Sequence, residues 1–342
     1  MLTPKQVEEI KSYISKSENP LIFYDDDPDG LCSYLLLDKF YQKGKGIVVK
    51  GKPVLDIEYL RKVKEYSPDL IIVLDKPMIS QEFIDSVNVP IVWIDHHPVV
   101  QRKGVHYYNP KIKYPDSYTP TTTLVYQITN QDLWIAAIGS LADWHIPEFI
   151  REFKKLYPDL IPEIKAPEQI IFETKLGKLI RIFSFLLKGK TSDVSKSINI
   201  IKKINDPREI INQESSRGKF LYKRAEKISK LYEELLEKAV KYSENDEKIL
   251  LFIYPSSKIS FTSELSNELL YRYPDKIIII GREKDEEIKL SLRSSKIELP
   301  PLIKKALEGV KGYGGGHTKA CGANISKDDF KTFIENFKSL LN

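Results

Sequence analysis

The segment Asp25-Asp26-Asp27-Pro28-Asp29-Gly30 sets four carboxylates within five residues, directly after the apolar run Leu21-Ile22-Phe23-Tyr24. Asp75 closes a second apolar run, Leu70-Ile71-Ile72-Val73-Leu74, and Asp95-His96-His97 closes a third, Ile91-Val92-Trp93-Ile94. In an open α/β sheet, ligands bind beyond the carboxyl ends of the parallel strands. Carboxylates gathered there repel one another unless a cation is shared, and the simplest shared cation is a pair of divalent metal ions.

Each cluster has its own logic. After a strand, alternate residues point the same way, so Asp25, Asp27 and Asp29 can aim at one point. Gly30 permits a tight turn into a helix whose N-terminal dipole favours negative charge. In isolation, this stretch also reads as a solvated acidic turn or an N-cap. Asp75 is followed by Lys76, which offers it an ion pair in place of a metal. Two adjacent histidines at a strand end cannot both face the core, so His96 or His97 must project into the crevice. A neutral imidazole ligates Mn²⁺, Fe²⁺ or Zn²⁺, and the neighbouring Asp95 can fix its tautomer. Carboxylates with one or two imidazoles fit Mn²⁺ better than Mg²⁺, which tolerates nitrogen poorly. Asp143 ends an apolar helix, where an acid is electrostatically misplaced and needs a compensating cation.

The elements that would position these groups follow from pattern. Short, nearly all-apolar strands at 20–25, 46–50, 69–75 and 89–95 alternate with helices at about 31–41, 56–66 and 80–86. That alternation is the mark of a parallel sheet covered on both faces. Residues 120–144 read as two adjoining helices, and 145–210 as helices broken by Pro147, Pro158, Pro162, Pro167 and Pro207. From Arg217 to about Tyr242 an apolar stripe at spacings of three and four predicts one long helix, ended by Ser243-Glu244-Asn245-Asp246. A second α/β unit follows, with strands at 248–254, 276–280 and 288–293 and a helix at 261–271. A glycine-rich turn at 312–317 and a last helix from about Asp328 complete it. The fold class is therefore α/β, a parallel-sheet N-terminal domain joined by a long helix to a smaller α/β C-terminal domain. The boundaries are 1–215, 216–245 and 246–342.

At 342 residues, 42% hydrophobic and 30% charged, the composition is that of an ordinary water-soluble protein. No apolar run reaches the ~20 residues that cross a bilayer, so no membrane partner is expected. The opening Met1–Gln6 lacks signal-peptide features, and a cytoplasmic location is the expectation. The two cysteines, Cys32 and Cys321, are too few for a disulfide scaffold and should be buried. A net charge of +5 around an acidic centre suits an anionic substrate, drawn in at long range.

These four acidic points, in this order, resemble those of the DHH phosphoesterases, with Asp95-His96-His97 as the namesake triplet. Ser291-Leu292-Arg293-Ser294-Ser295 and Gly314-Gly315-Gly316-His317 resemble the substrate-binding domain of one branch of that family. The resemblance implies two Mn²⁺ ions on Asp27, Asp29, Asp75, His96 and Asp143, with Mg²⁺ as the second choice. It implies catalytic roles for His97, Asp95 and Asp25, and substrate contacts at Ser291, Arg293, Gly314, Gly315, Gly316 and His317. Many members have a histidine where this chain has Phe23, and the triple aspartate is closer to the RecJ-like exonucleases.

The activity implied is two-metal hydrolysis of single-stranded DNA or RNA, or of short oligonucleotides. Two ions roughly 3.5–4 Å apart would activate a water for in-line attack. A small-molecule phosphoesterase for a cyclic dinucleotide, adenosine bisphosphate or polyphosphate is the alternative. An inactive RecJ-like scaffold of the replicative helicase, bound to GINS or other replication and repair proteins, is the third reading.

Overall fold

The computed structural model describes residues 1–163, 166–244, 246–255 and 259–341. The chain divides into two compact units, Met1–Ala225 and Glu226–Asn342. In the first, strands β1 (Pro20–Asp25), β2 (Lys45–Val49), β3 (Val54–Leu55), β4 (Leu70–Leu74), β5 (Met78–Ile79), β6 (Ile91–Ile94) and β7 (His106–Tyr108) follow in chain order. Five of them form one all-parallel sheet, ordered β2-β1-β4-β6-β7, while β3 and β5 pair separately. Going outward from β1, the chain runs first to β2 on one side and then to β4 on the other. Strand order reverses there, which opens a crevice at the carboxyl ends of β1 and β4.

Burial explains why these runs are strands. Every residue of β4 and β6 is buried, as an inner strand covered on both faces requires. On one face Leu21, Phe23, Ile71, Val73 and Trp93 pack with Leu55, Ile79 and Phe83. The helix Pro28–Tyr41 packs with the helices Thr121–Thr129 and Leu133–Ala142. Gly139 makes that packing possible, because a Cβ there would lie 2.2 Å from Thr122 Oγ1 and 2.6 Å from Cys32 Cβ. Cys32 and Cys321 are both free and buried.

The strands expected at 20–25, 46–50, 69–75 and 89–95 agree with β1, β2, β4 and β6 to within two residues, while β3, β5 and β7 are strands that the pattern does not indicate. The helix after β1 starts earlier than the pattern implies, at Pro28, because Asp27 caps it through Gly30 N at 2.9 Å. The chain also forms a helix at Pro4–Lys16 that the pattern does not indicate, capped reciprocally by Thr3 and Gln6. The long helix spans Ser216–Val240, and the division between the two units falls within it. Of the residues expected to end it, Asn245 lies outside the described residues.

The second unit holds β8 (Ile249–Tyr254), β9 (Ile277–Lys284), β10 (Glu287–Arg293), β11 (Gly312–His317) and β12 (Ala320–Ser326), ordered β11-β12-β10-β9-β8. The expected glycine-rich turn at 312–317 is instead the edge strand β11, paired antiparallel to β12 throughout. Glycine signals a turn only when nothing else uses its backbone, and here the ladder to β12 does. Gly316, at φ +147°, keeps its backbone where a Cβ would meet Ala320 O at 2.6 Å. No helix is long and apolar enough to cross a membrane among the described residues.

Candidate metal centre

The carboxyl ends of β1, β4 and β6 bring together the acidic groups anticipated from sequence. Three overlapping sets of donor atoms lie within 4.8 Å of one another: Asp75 with His96 and His97, Asp29 with His96 and Asp143, and Asp25 with Asp27 and Asp75. Asp75 belongs to two of these sets, so its carboxylate is placed to serve both. His96 Nε2 lies 3.3 Å from Asp75 Oδ1 and 3.3 Å from Asp143 Oδ2, with Asp29 Oδ2 at 3.8 Å.

Local backbone chemistry aims each group. Asp75 adopts φ +57°, a left-handed conformation that turns the chain at the strand end. Its Oδ1 accepts from Thr121 Oγ1 at 3.1 Å. Asp29 accepts from Thr121 N at 2.8 Å and Thr122 N at 2.7 Å, so its carboxylate also caps the helix Thr121–Thr129. Gly30 makes the close turn possible, since a Cβ there would lie 2.6 Å from Asp25 N. Asp143 sits just past the helix Leu133–Ala142, held by Tyr118, whose hydroxyl donates to the Asp143 carbonyl at 2.7 Å and to Oδ2 at 3.2 Å.

The triplet divides its labour. Asp95 is fully buried and accepts from His97 Nδ1 at 2.7 Å, His97 N at 3.1 Å and Tyr107 OH at 3.1 Å. It therefore orients His97 and does not face the other carboxylates. Asn109 Nδ2 braces the same group, donating to His97 O at 2.9 Å and reaching Asp95 Oδ2 at 3.4 Å.

Lys76 does not pair with its neighbour Asp75. Its wholly buried ammonium lies 2.9 Å from Asp25 Oδ1 and donates to Lys52 O at 2.6 Å. Trp93 Nε1 fixes the Lys76 carbonyl at 2.9 Å. Asp25 thus carries a protein-borne counter-charge, whereas no Lys or Arg ion pair is found for Asp27, Asp29, Asp75 or Asp143 among the described residues.

Electrostatics record the strain of that arrangement. Burial, then the charges of Asp143 and Asp27, hold Asp29 well above the usual carboxylate range. Asp75 is raised likewise by burial and then by Asp29, Asp27 and Asp143. Burial, then Asp25 and Asp143, push Asp27 up to about 7. Burial pushes His96 down, toward the neutral imidazole that binds metal. Burial works against a charge on His97 too, but the hydrogen bond and charge of Asp95 outweigh it and lift its pKa. Carboxylate oxygens facing one another around the Nε2 of a neutral imidazole fit divalent cations such as Mn²⁺.

In the second unit four of the six anticipated substrate residues fall into two rows across the sheet, with Gly314 and Gly316 in rows of their own, paired with Ala323 and Cys321. Ser291 pairs with Gly322, which pairs with Gly315, and Arg293 pairs with Ala320, which pairs with His317. Gly314, Gly315, Gly316 and His317 are all exposed along β11. Arg293 is largely engaged by the protein, donating to Asn267 Oδ1 at 2.7 Å, Leu292 O at 3.0 Å and Ser263 Oγ at 3.2 Å. Burial lowers its pKa to about 10. Thr121, Thr122, Tyr118, Tyr107 and Asn109 are site residues that the sequence reading does not single out. The run Thr119-Pro120-Thr121-Thr122-Thr123, a helix-start signature beside an acidic centre, is the available signal.

Residues 20–155 match the DHH family, N-terminal domain, and residues 260–342 match the DHHA1 domain. No curated protein matches the chain in sequence. Among solved structures, the fold is similar to RecJ from Thermus thermophilus in complex with Mn²⁺, at TM-score 0.72 and 15% identity, covering 99% of this chain and 55% of that one. This chain thus spans about half the length of the Thermus protein. An exonuclease RecJ bound to manganese is similar at TM-score 0.65 and 15% identity, covering 99% of this chain and 95% of that one. The DHH domain of a member of a family of ribosomal proteins gives TM-score 0.70 at 16% identity, covering 98% of this chain and 89% of that one. The two matches lie along one chain, the first of them over the sheet that carries the acidic centre, and this chain carries a DHH family N-terminal domain followed by a DHHA1 domain.

Proposed function

We propose that this chain is a Mn²⁺-dependent phosphodiesterase that removes nucleotides from an end of single-stranded nucleic acid or of short oligonucleotides. The observation that carries this reading is the convergence of Asp27, Asp29, Asp75, Asp143 and His96 at one crevice without a lysine or arginine partner among the described residues. Those five residues would hold two ions, which when bound supply Lewis acidity toward a phosphate oxygen and lower the pKa of a water.

The protein's own groups do the rest. Asp95 engages His97 Nδ1 and leaves Nε2 for a phosphate oxygen. Lys76 holds Asp25 in place and neutralises it. In the second unit, the row Arg293–Ala320–His317 and the bare backbone at Gly315 suit a terminal phosphate, with His317 as its exposed member. RecJ structures of this fold hold manganese in two cases and magnesium in another, which supports Mn²⁺ first and Mg²⁺ second. An inactive scaffold bound to GINS has no need of the acids, and all four acidic points are retained here.

The test is incubation with Mn²⁺ and end-labelled single-stranded DNA, single-stranded RNA, a dinucleotide and polyphosphate. Stepwise shortening of a single strand is expected. Turnover of polyphosphate alone, or of none of the four by a folded protein, would overturn the proposal.

A further inference from the structure

The segment between β7 and the helix Thr121–Thr129 is fastened to the acidic centre at both ends. Asn109 holds its start to Asp95 and His97, and Tyr118 holds its end to Asp143. In between, Ile112 N bonds back to Asn109 O, Lys113 N and Tyr114 N to Pro110 O, and Ser117 N to Tyr114 O. The segment is thus a run of closed turns with a defined shape.

What those turns display is unusual for a surface. Ile112 is 56% exposed, Tyr114 57% and Tyr118 47%. The Lys113 ammonium lies 5.3 Å from the centre of the Tyr114 ring. Lys111 is close enough to the triplet for its charge to act on His96. The Tyr118 ring meets His96 edge-on, with centroids 5.8 Å apart. Two exposed tyrosine rings and two lysines, with the single acid Asp116 between the rings, stand beside the centre and together suit one kind of ligand. An unpaired nucleic-acid strand offers flat bases to stack on the rings and phosphates for the ammonium groups. A duplex would keep its bases out of reach of the rings. A small inorganic anion has no use for them.

We propose that Lys111–Tyr118 is the surface on which an unpaired strand lies as it enters the centre, bases against Tyr114 and Tyr118 and phosphates at Lys111 and Lys113. The inference rests on the phosphodiesterase reading above and assigns it a binding surface within the first unit.

The experiment uses the full chain with Mn²⁺ and a fluorescein-labelled phosphorothioate dT12, so that binding is read by anisotropy without turnover. Tyr114→Ala should weaken binding by about tenfold, and Tyr114→Trp should retain it. The double variant Lys111→Gln/Lys113→Gln should flatten the dependence of log K on log salt by about 1.4, the share of two phosphates. Equal circular dichroism melting of the variants and the parent checks the fold. If the parent protein binds dT12 and the variants bind it equally tightly, this surface is wrong while the proposed function stands. If the parent neither binds dT12 nor shortens any single strand, both fall together.

Discussion

The Lys76 ammonium, wholly buried, is bonded to Asp25 at 2.9 Å and not to Asp75, its neighbour in the chain. Asp75 sits at φ +57°, so the backbone turns sharply between the two and sends their side chains apart. One acid of the centre is therefore neutralised from within, and the remainder await positive charge from elsewhere.

Removing that internal charge should be costly. Lys76→Met leaves Asp25, a largely buried acid, without its counter-ion, and breaking such a pair costs ~3 kcal/mol or somewhat less. The metal-free variant should melt several degrees lower than the parent, and added Mn²⁺ should recover much of the loss. Unchanged melting in a thermal scan would show that Lys76 is not paired as described.

The metal-free protein should become less stable as pH rises. Asp27, at about 7 in the fold, titrates near ~3.9 when unfolded. Between those values the folded state binds more protons than the unfolded chain, so stability is full below about pH 4 and is lost as pH climbs through 7. Melting temperature in chelator should fall from pH 5 to pH 8, and Mn²⁺ should raise it most at pH 8. A flat profile in chelator would contradict the crowding of carboxylates.

Tyr118→Phe deletes the hydroxyl that steadies Asp143 while keeping the ring. Partners that orient a ligand typically contribute ~10-fold or more in metal affinity. Manganese titration followed by electron paramagnetic resonance should show weaker binding, with the melting of the metal-free protein little changed. Equal affinity would mean that Asp143 needs no such support.

Arg293 is a test of role within the second unit. Its guanidinium ties the helix Thr262–Arg272 to β10 through Ser263 and Asn267. Arg293→Gln should lower stability by about 1–3 kcal/mol in urea denaturation, the usual worth of hydrogen bonds made by a charged group. A variant as stable as the parent would free Arg293 for ligand contact alone.

Much of this centre was legible in the residues themselves. The inner strands are unbroken apolar runs, Leu21–Tyr24, Leu70–Leu74 and Ile91–Ile94, so their ends, and the acids placed there, could be located directly. Long-range partners were not legible in the same way. Lys76 beside Asp75 invited a local pairing that the turn at Asp75 forbids. The amides of Thr121 and Thr122 carry no side-chain signature, yet they bind Asp29 because a helix happens to start there. Gly312–His317 read as a turn because glycine composition is silent about a ladder supplied by β12, the next strand along the chain.

The most direct test of the metal centre is anomalous diffraction at the manganese edge from crystals grown with Mn²⁺. Two peaks are expected, one among Asp29, His96 and Asp143 and one among Asp27 and Asp75. A map without a peak at either position, in crystals diffracting well enough to show the side chains, would contradict a shared pair of ions.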